Sequence, residues 1–196
     1  YLSKAGFDTR EILQSTSDTL SLAAAGGIDL ANASDIASDA LTAMGMQADE
    51  LQTITDDFAT VANNSNTTVQ LIGDSFRYAA ATARSAGADV KELTAAVGFL
   101  GDAGIKGSMA GTQLRQVYAK LMTKSAQKKM ENYGVDVKNA NDELVRMPEI
   151  LKRMQQAGFG AEEALDVFGT RAGTAVQILL QRGGDALEKY GLGTAM

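Results

Sequence analysis

The sequence predicts a mainly α fold: a multi-helix domain of short Ala- and Gly-rich helices in hairpins, with one small β-hairpin near 135–146. Three observations lead there. Apolar residues recur at spacings of three and four through most of the 196 residues, the period of a single helix face. One proline, Pro148, leaves those patterns almost free of the strongest helix breaker. Twenty glycines punctuate the chain instead, most of them where a helical pattern ends. Apolar residues make up 45% of the chain and aromatics only 6%, so the core consists of thin, closely spaced helices rather than aromatic clusters.

Asp8 caps the first helix and Glu11 stands three residues on, the capping-box spacing. Ile12, Leu13, Leu20, Ala23 and Ala24 give this helix an apolar side, and Gly26 and Gly27 end it. An Ala-rich helix follows from Leu30 to Ala43, burying Ile36, Ala40, Leu41 and Met44 and stopping at Gly45. The next covers about Ala48 to Ala62, with Leu51, Ile54, Phe58, Val61 and Ala62 on one face, and Asn63 to Asn66 form a turn. Thr67 to Gln70 reads as a second capping box, opening a helix whose face is Val69, Ile72, Phe76, Ala79, Ala80 and Ala83.

Residues 85–115 organise the chain. Asp89 caps a short helix, with Glu92 placed to reach back to the free backbone donor at Asp89. Gly104 and Gly107 supply positive φ for a tight turn. A ladder of small residues, Gly98, Gly101, Ala103, Ala110 and Gly111, lets helix backbones approach closely. A longer helix then runs from near Ser108 through Leu114, Val117, Tyr118, Leu121 and Met122 to about Tyr133 and Gly134, with Lys124, Lys128 and Lys129 suiting its C-terminal end.

Val135 to Val137 alternate with period two, Asn139 to Asp142 are turn residues and Leu144–Val145 is extended again, which predicts the hairpin. Pro148 is the first residue of a helix that buries Ile150, Leu151 and Met154. After a turn at Gly158 to Gly160, helices follow over about Ala161–Phe168, Gly169–Gln181 and Asp185–Tyr190, the last opened by Asp185 with Glu188 three on. The organisation is therefore a helical region over 1–134 and a hairpin with helices over 135–196, packed on the same domain. The frames beginning at Ala5, Ala86 and Ala157 share Ala-Gly, a capping position and Glu three later, at unequal intervals. Convergence of well-capped hairpins and duplication of a unit both account for them.

Composition excludes several function classes. A net charge of −6 argues against a duplex nucleic-acid binder. With no cysteine and no histidine there is no disulfide framework, no thiolate or imidazole metal site and no Ser-His or Cys-His catalysis. No run approaches the ~18–20 apolar residues of a membrane span. The chain opens on Tyr1 without a signal-peptide pattern and reads as a piece of something longer.

Each chemical candidate has a structural reading that outweighs it. Gly98, Gly101, Gly104 and Gly107 invite a phosphate loop, but Lys106 precedes the last glycine instead of following it, and the flanks are helical. Asp49, Glu50, Asp56 and Asp57 lack the spacing of a calcium loop and read as a solvated face. Glu162 and Glu163 sit in a first helical turn, where the dipole favours them. Lys120, Lys124, Lys128 and Lys129, with Tyr118 and Tyr133 nearby, are the only basic concentration and read as a solvated flank rather than a strand-binding surface. The eight methionines fill gaps between helices. The expectation is no catalytic, metal or cofactor-binding residue and no cofactor.

Five stretches together resemble the core region of phage tail tape measure proteins: Leu22 to Gly45, the Ala-Asn-x-Ser-x-Thr segment within Phe58 to Val69, Ala103 to Arg115, Gly134 to Leu151, and Val167-Phe-Gly169 followed by Ala172. Ala103 to Arg115 is the most family-specific of them. The chain departs from the family in having Asn139 to Asp142 where a glycine is common, and Gln47 where a small capping residue is usual. The resemblance implies a non-enzymatic structural component of a phage or prophage tail, involved in assembly and length determination and associated with genome ejection. It implies tail tube, tail initiator or baseplate, and assembly chaperone proteins as partners, with self-association in the full-length protein, no specific nucleic acid, and membrane contact only through other regions of the parent. The location implied is the virion, inside the tail tube, and the bacterial host cytoplasm during assembly. A measuring rod is a sustained coiled-coil repeat, whereas this region alternates short helices and turns, so it is expected to flank or cap the rod. The alternative class is a cell-wall-degrading or membrane-active tail module.

Overall fold

The computed structural model describes residues 9–190. α1 (Thr9–Gly26) spans the first predicted helix; the cap at Asp8 and the side chains of Glu11, Ile12 and Leu13 lie outside the described residues. Its inward stripe is Ser15, Thr19, Leu22 and Ala23, while Leu20 is 57% exposed. Apolar counting misses that stripe because two of its members are hydroxyls. The Thr19 hydroxyl satisfies itself within the helix, donating to Ser15 O at 2.7 Å.

α2 (Leu30–Met44) is capped by Asp29, whose carboxylate accepts the Asn32 N–H at 3.0 Å. A 3₁₀ turn over Ala48–Glu50 leads into α3 (Leu51–Asn64), and Glu50 accepts the Gln47 N–H at 2.8 Å. α4 (Val69–Ser85) starts one position later than its predicted box. Thr68, not Thr67, accepts the Leu71 N–H at 3.2 Å, and Thr67 turns inward. The predicted faces of α2, α3 and α4 are buried as expected, apart from Ala62, which is half-buried.

α5 (Val90–Asp102) is buried without interruption from Glu92 to Gly101. A helix covered on all sides must be central, and α3, α4, α6, α9 and α10 all pack against it. The single long helix expected after it is broken in two: α6 (Gly107–Leu121) and α7 (Lys124–Asn132). Thr123 causes the break, because its hydroxyl accepts the Ala126 N–H at 3.3 Å and so starts a new helix. Met122, expected inside, stands at the corner 39% exposed.

The β-hairpin is not formed. No strand occurs among the described residues, and the segment holds one isolated antiparallel bridge between Lys138 and Leu144. The Asn139 side-chain oxygen accepts the N–H groups of Asn141 and Glu143 at 2.9 and 3.0 Å, so local bonds take donors that a ladder would need. Asp142 adopts φ 64°. Val135 and Val137 are nonetheless buried, so the alternation marks which side faces the core without marking a sheet.

α8 (Met147–Gln156) carries Pro148 in its first turn. α9 (Ala161–Arg182) consists of two helical segments that meet at Gly169, whose φ of 77° and ψ of 173° are not helical, so the two predicted helices follow each other directly. In α10 (Gly184–Lys189) Asp185 does not cap. Asp185 and Glu188 together hold Lys152 of α8, at 2.9 and 2.8 Å. α4 lies most closely along α6, and α6 also carries α9. One continuous hydrophobic core includes side chains from α1 through α10.

Candidate functional site

Two features of the α4–α5–α6 region stand out, an interlock of helix backbones and a buried carboxylate. At the interlock, a Cβ placed on Gly111 would lie 2.8 Å from Ser75 Cα and closer still to the Ser75 carbonyl oxygen. The two helices therefore touch backbone to backbone. Ser75 Oγ lies 2.9 Å from both Leu71 O and Gly107 O, so its hydroxyl ties α4 to the first turn of α6. Gly98 is close-packed against a side chain instead, an added Cβ lying 2.8 Å from Val61 Cγ1. Gly101 meets Thr67 at 3.1 Å. Ala103 is the one outward member of the predicted ladder. Gly104 works differently: φ is 86° and nothing lies within 4 Å of an added Cβ, so the turn conformation, not space, requires it. The close-approach device recurs at Gly173, whose Cβ would be 2.8 Å from Ala164 O, and at Gly184 against Pro148 O. The sequence reading assigned no packing role to these two.

The buried carboxylate is Glu92, 2% exposed. It does not close a capping box. Asp89 caps α5 by accepting the Glu92 N–H at 2.8 Å, while the Glu92 side chain turns inward. There it accepts from Tyr118 Oη at 3.0 Å and from Arg146 Nε at 3.2 Å. Arg146 also donates to Asp89 Oδ2 at 2.6 Å, which fixes the start of α8 onto the start of α5. Burial pushes the Glu92 carboxyl up to about 7, against the lowering pull of Arg146 and Tyr118. Burial and the neighbouring Glu92 push the Tyr118 phenol well above its ordinary range, so it stays a donor. A signal for this cluster was present in the sequence. α5 reads as apolar or small on every side from Leu93 to Gly101, and a carboxylate entering such a helix needs partners.

The other candidate residues are placed apart. Lys106 donates to Asn66 Oδ1 at 2.8 Å and faces no cradle of backbone donors from a strand-to-helix loop. Glu163 accepts the Gly160 N–H at 2.9 Å, which accounts for it as a cap partner, and Glu162 is exposed beside it. Lys129 pairs with Asp166 at 2.7 Å, whereas Lys120, Lys124 and Lys128 are exposed. Asp49, Glu50 and Asp56 are exposed, but Asp57 is not part of a solvated face. Burial pushes its carboxyl up to about 6, and its Oδ2 is buried without a hydrogen bond. Asp57 lines a cavity of about 490 Å³ between the end of α2, α3 and the start of α5, together with Met44, Met46, Glu50, Asp89 and Val90. Among the described residues no group of three or more acidic side chains is placed to hold a metal ion, and no helix is long and apolar enough to cross a membrane.

This arrangement holds helices together. The family model described as phage-related minor tail protein matches residues 1–170. The tape measure protein of Pneumococcus phage Dp-1 is 32% identical, covering 96% of this chain and 17% of that protein. The probable tape measure protein of Escherichia phage P2 is also 32% identical, covering 91% of this chain and 23% of that protein. The chain thus spans less than a quarter of the length of these relatives. No solved structure matches it. With residues 1–170 under one family model and two tape measure relatives 32% identical over most of its length, the chain belongs to the phage-related minor tail protein family and is a structural component of a phage tail.

Proposed function

We propose that this chain is the folded segment of a tape measure protein, one that flanks or caps the measuring rod and works by helix packing, without catalysis. The observation that carries the reading is the match to a tape measure protein across 96% of the chain. It is supported by a fold in which a fully buried central helix is surrounded by short helices, an arrangement unlike an extended rod. On this reading residues 1–134 and 135–196 act as one packed unit, since α9 lies on α5 and α6. The parent protein assembles with the tail tube, the initiator or baseplate proteins and assembly chaperones, and self-associates. It moves from the host cytoplasm during assembly to the tail lumen of the virion, takes part in length determination, and leaves ahead of the genome. No observation favours a cell-wall-degrading or membrane-active module. The test is a pull-down with this segment in its native flanking sequence. Capture of the tail tube or initiator protein is expected, and a clean failure to capture either would remove the assignment.

A further inference from the structure

The turn at Asn63 to Asn66 is gripped from three directions. The Asn66 N–H donates to Asp102 Oδ1, at the end of α5, at 2.8 Å. Lys106 Nζ donates to Asn66 Oδ1 at 2.8 Å. The third grip comes from the far end of the chain, where Tyr190 Oη donates to Asn64 O at 3.2 Å across 126 residues. The Tyr190 ring stands edge-on to Phe99 with centroids 4.8 Å apart. Gly98 leaves room for the Tyr190 hydroxyl, which an added Cβ would approach to 3.3 Å. Arg182 closes the same corner: it donates to Asp102 Oδ2 at 2.9 Å, and its guanidinium lies 5.4 Å from the Phe99 ring centroid.

Beyond Arg182 the hold is slight. α10 is six residues long and fully buries only Gly184 and Leu187. Its ion pairs, from Asp185 and Glu188 to Lys152, sit at the surface, where such pairs contribute little. It joins α9 through Gly183, whose φ of 86° is a glycine conformation, so one residue's dihedrals can swing α10 as a unit. Gly184, backed against Pro148 O, is the pivot beside that hinge. A short element with one large buried side chain, set against the ordering of its whole backbone, lies at the low-stability end of a fold.

We propose that residues 184–190 are a detachable clasp: hinged at Gly183, they close on the Asn63 to Asn66 turn through Tyr190, and they open while α1 to α9 stay folded. The turn is the catch, fixed by Asp102 and Lys106 whether the clasp is open or shut. Opening uncovers the seat of Leu187 and the edge of Phe99, which is 3% exposed when the clasp is shut. The central helix is therefore sealed in one state and reachable in the other. Arg182 precedes the hinge and keeps its place on Asp102 and Phe99 in both. The clasp stands on contacts within the chain and is independent of the assignment tested by the pull-down.

Amide hydrogen exchange of the wild-type 196-residue chain, followed by NMR in rising urea, tests it. The Leu187 N–H bonds Gly183 O in the closed clasp, and a six-residue helix freed from its neighbours does not persist. Leu187 should therefore exchange at least about a hundredfold faster than the α5 amides, with little dependence on urea, whereas α5 exchanges only by global unfolding. Tyr190→Phe keeps the ring and loses the bond to Asn64 O, and should speed exchange at Leu187 about fivefold. The double variant Leu187→Ala/Tyr190→Ala should leave α10 without protection while α5 and α6 remain protected. One shared rate and urea dependence for Leu187 and α5 in the wild type overturns the proposal, as does a double variant in which α5 loses protection together with α10. An unchanged Leu187 rate in Tyr190→Phe overturns the turn as the catch.

Discussion

Gly111→Ala lowers the thermal unfolding midpoint by about 10 °C, the largest effect expected from removing so little freedom from one residue. The added methyl group meets the Ser75 backbone, not a side chain that can rotate away. α4 and α6 must separate along the most extensive helix pair in the fold. Overpacking of this kind costs about 3 kcal/mol or more, against roughly 1 kcal/mol gained from the better helix propensity of alanine. A net loss near 2–3 kcal/mol corresponds to roughly 10 °C in a chain of this size. Gly104→Ala is the matched control, since there is open space around that position and only its φ of 86° is at stake. It should lose about 1 kcal/mol. Differential scanning calorimetry of the two variants side by side separates close packing from turn strain. Equal midpoints would show that the interlock is not what Gly111 is for.

Arg146→Met makes the chain markedly less stable at pH 8 and costs less at pH 5, where the loss is mainly that of its exposed pair with Asp89. Glu92 in the folded chain has its carboxyl raised to about 7 from 4.5, so between those values the folded state holds a proton that the unfolded state has released. The stability contributed by this group is therefore complete below pH 4.5 and lost as pH rises through 7, by about 3 kcal/mol at most. Asp57, raised to about 6, acts in the same direction. Asp29, Asp142, Asp166, Asp185 and Glu188 are shifted downward, so they withdraw stability at more acid pH and leave this window clear. Above pH 7 the ionised Glu92 depends on Arg146 for its one ion-pair contact. Removing a partner of a buried charge costs about 3–5 kcal/mol. Arg146 is itself half exposed, so the expected loss is nearer 2 kcal/mol. Glu92→Gln is the complement: it never ionises, and it should flatten the fall in stability between pH 5 and pH 8. Urea midpoints at those two pH values report both results. A pH-independent penalty for Arg146→Met would mean that packing, not the carboxylate, is what the arginine serves.

Much of the fold was legible because the helices announce themselves through apolar spacing and glycine stops. α2, α3, α4 and α8 bury nearly all the residues their periodicity selects. The failures share a cause: side chains that bond to nearby backbone. Thr123 ends α6 by starting α7, Asn139 dissolves the predicted hairpin, and Thr68 takes the cap from Thr67. Local polar bonds of this kind compete with regular structure and leave no periodic trace. The three matching frames make the point sharply. In the third, Glu163 completes a capping bond to Gly160. In the second, Glu92 turns inward to Tyr118 and Arg146, which lie 26 and 54 residues away. The same spacing thus served local and long-range bonds, and only tertiary packing chooses between them. The glycine ladder was visible as composition, but which rung touches a backbone depended on where α4 lies.

The central claim is that this segment is a folded domain beside the measuring rod and not a stretch of the rod. A phage carrying the segment in tandem duplicate tests it, with tail lengths measured by electron microscopy. A rod lengthened by 196 helical residues would extend the tail by about 290 Å, at 1.5 Å per residue. The account predicts tails of unchanged length. Tails longer by that increment would contradict it.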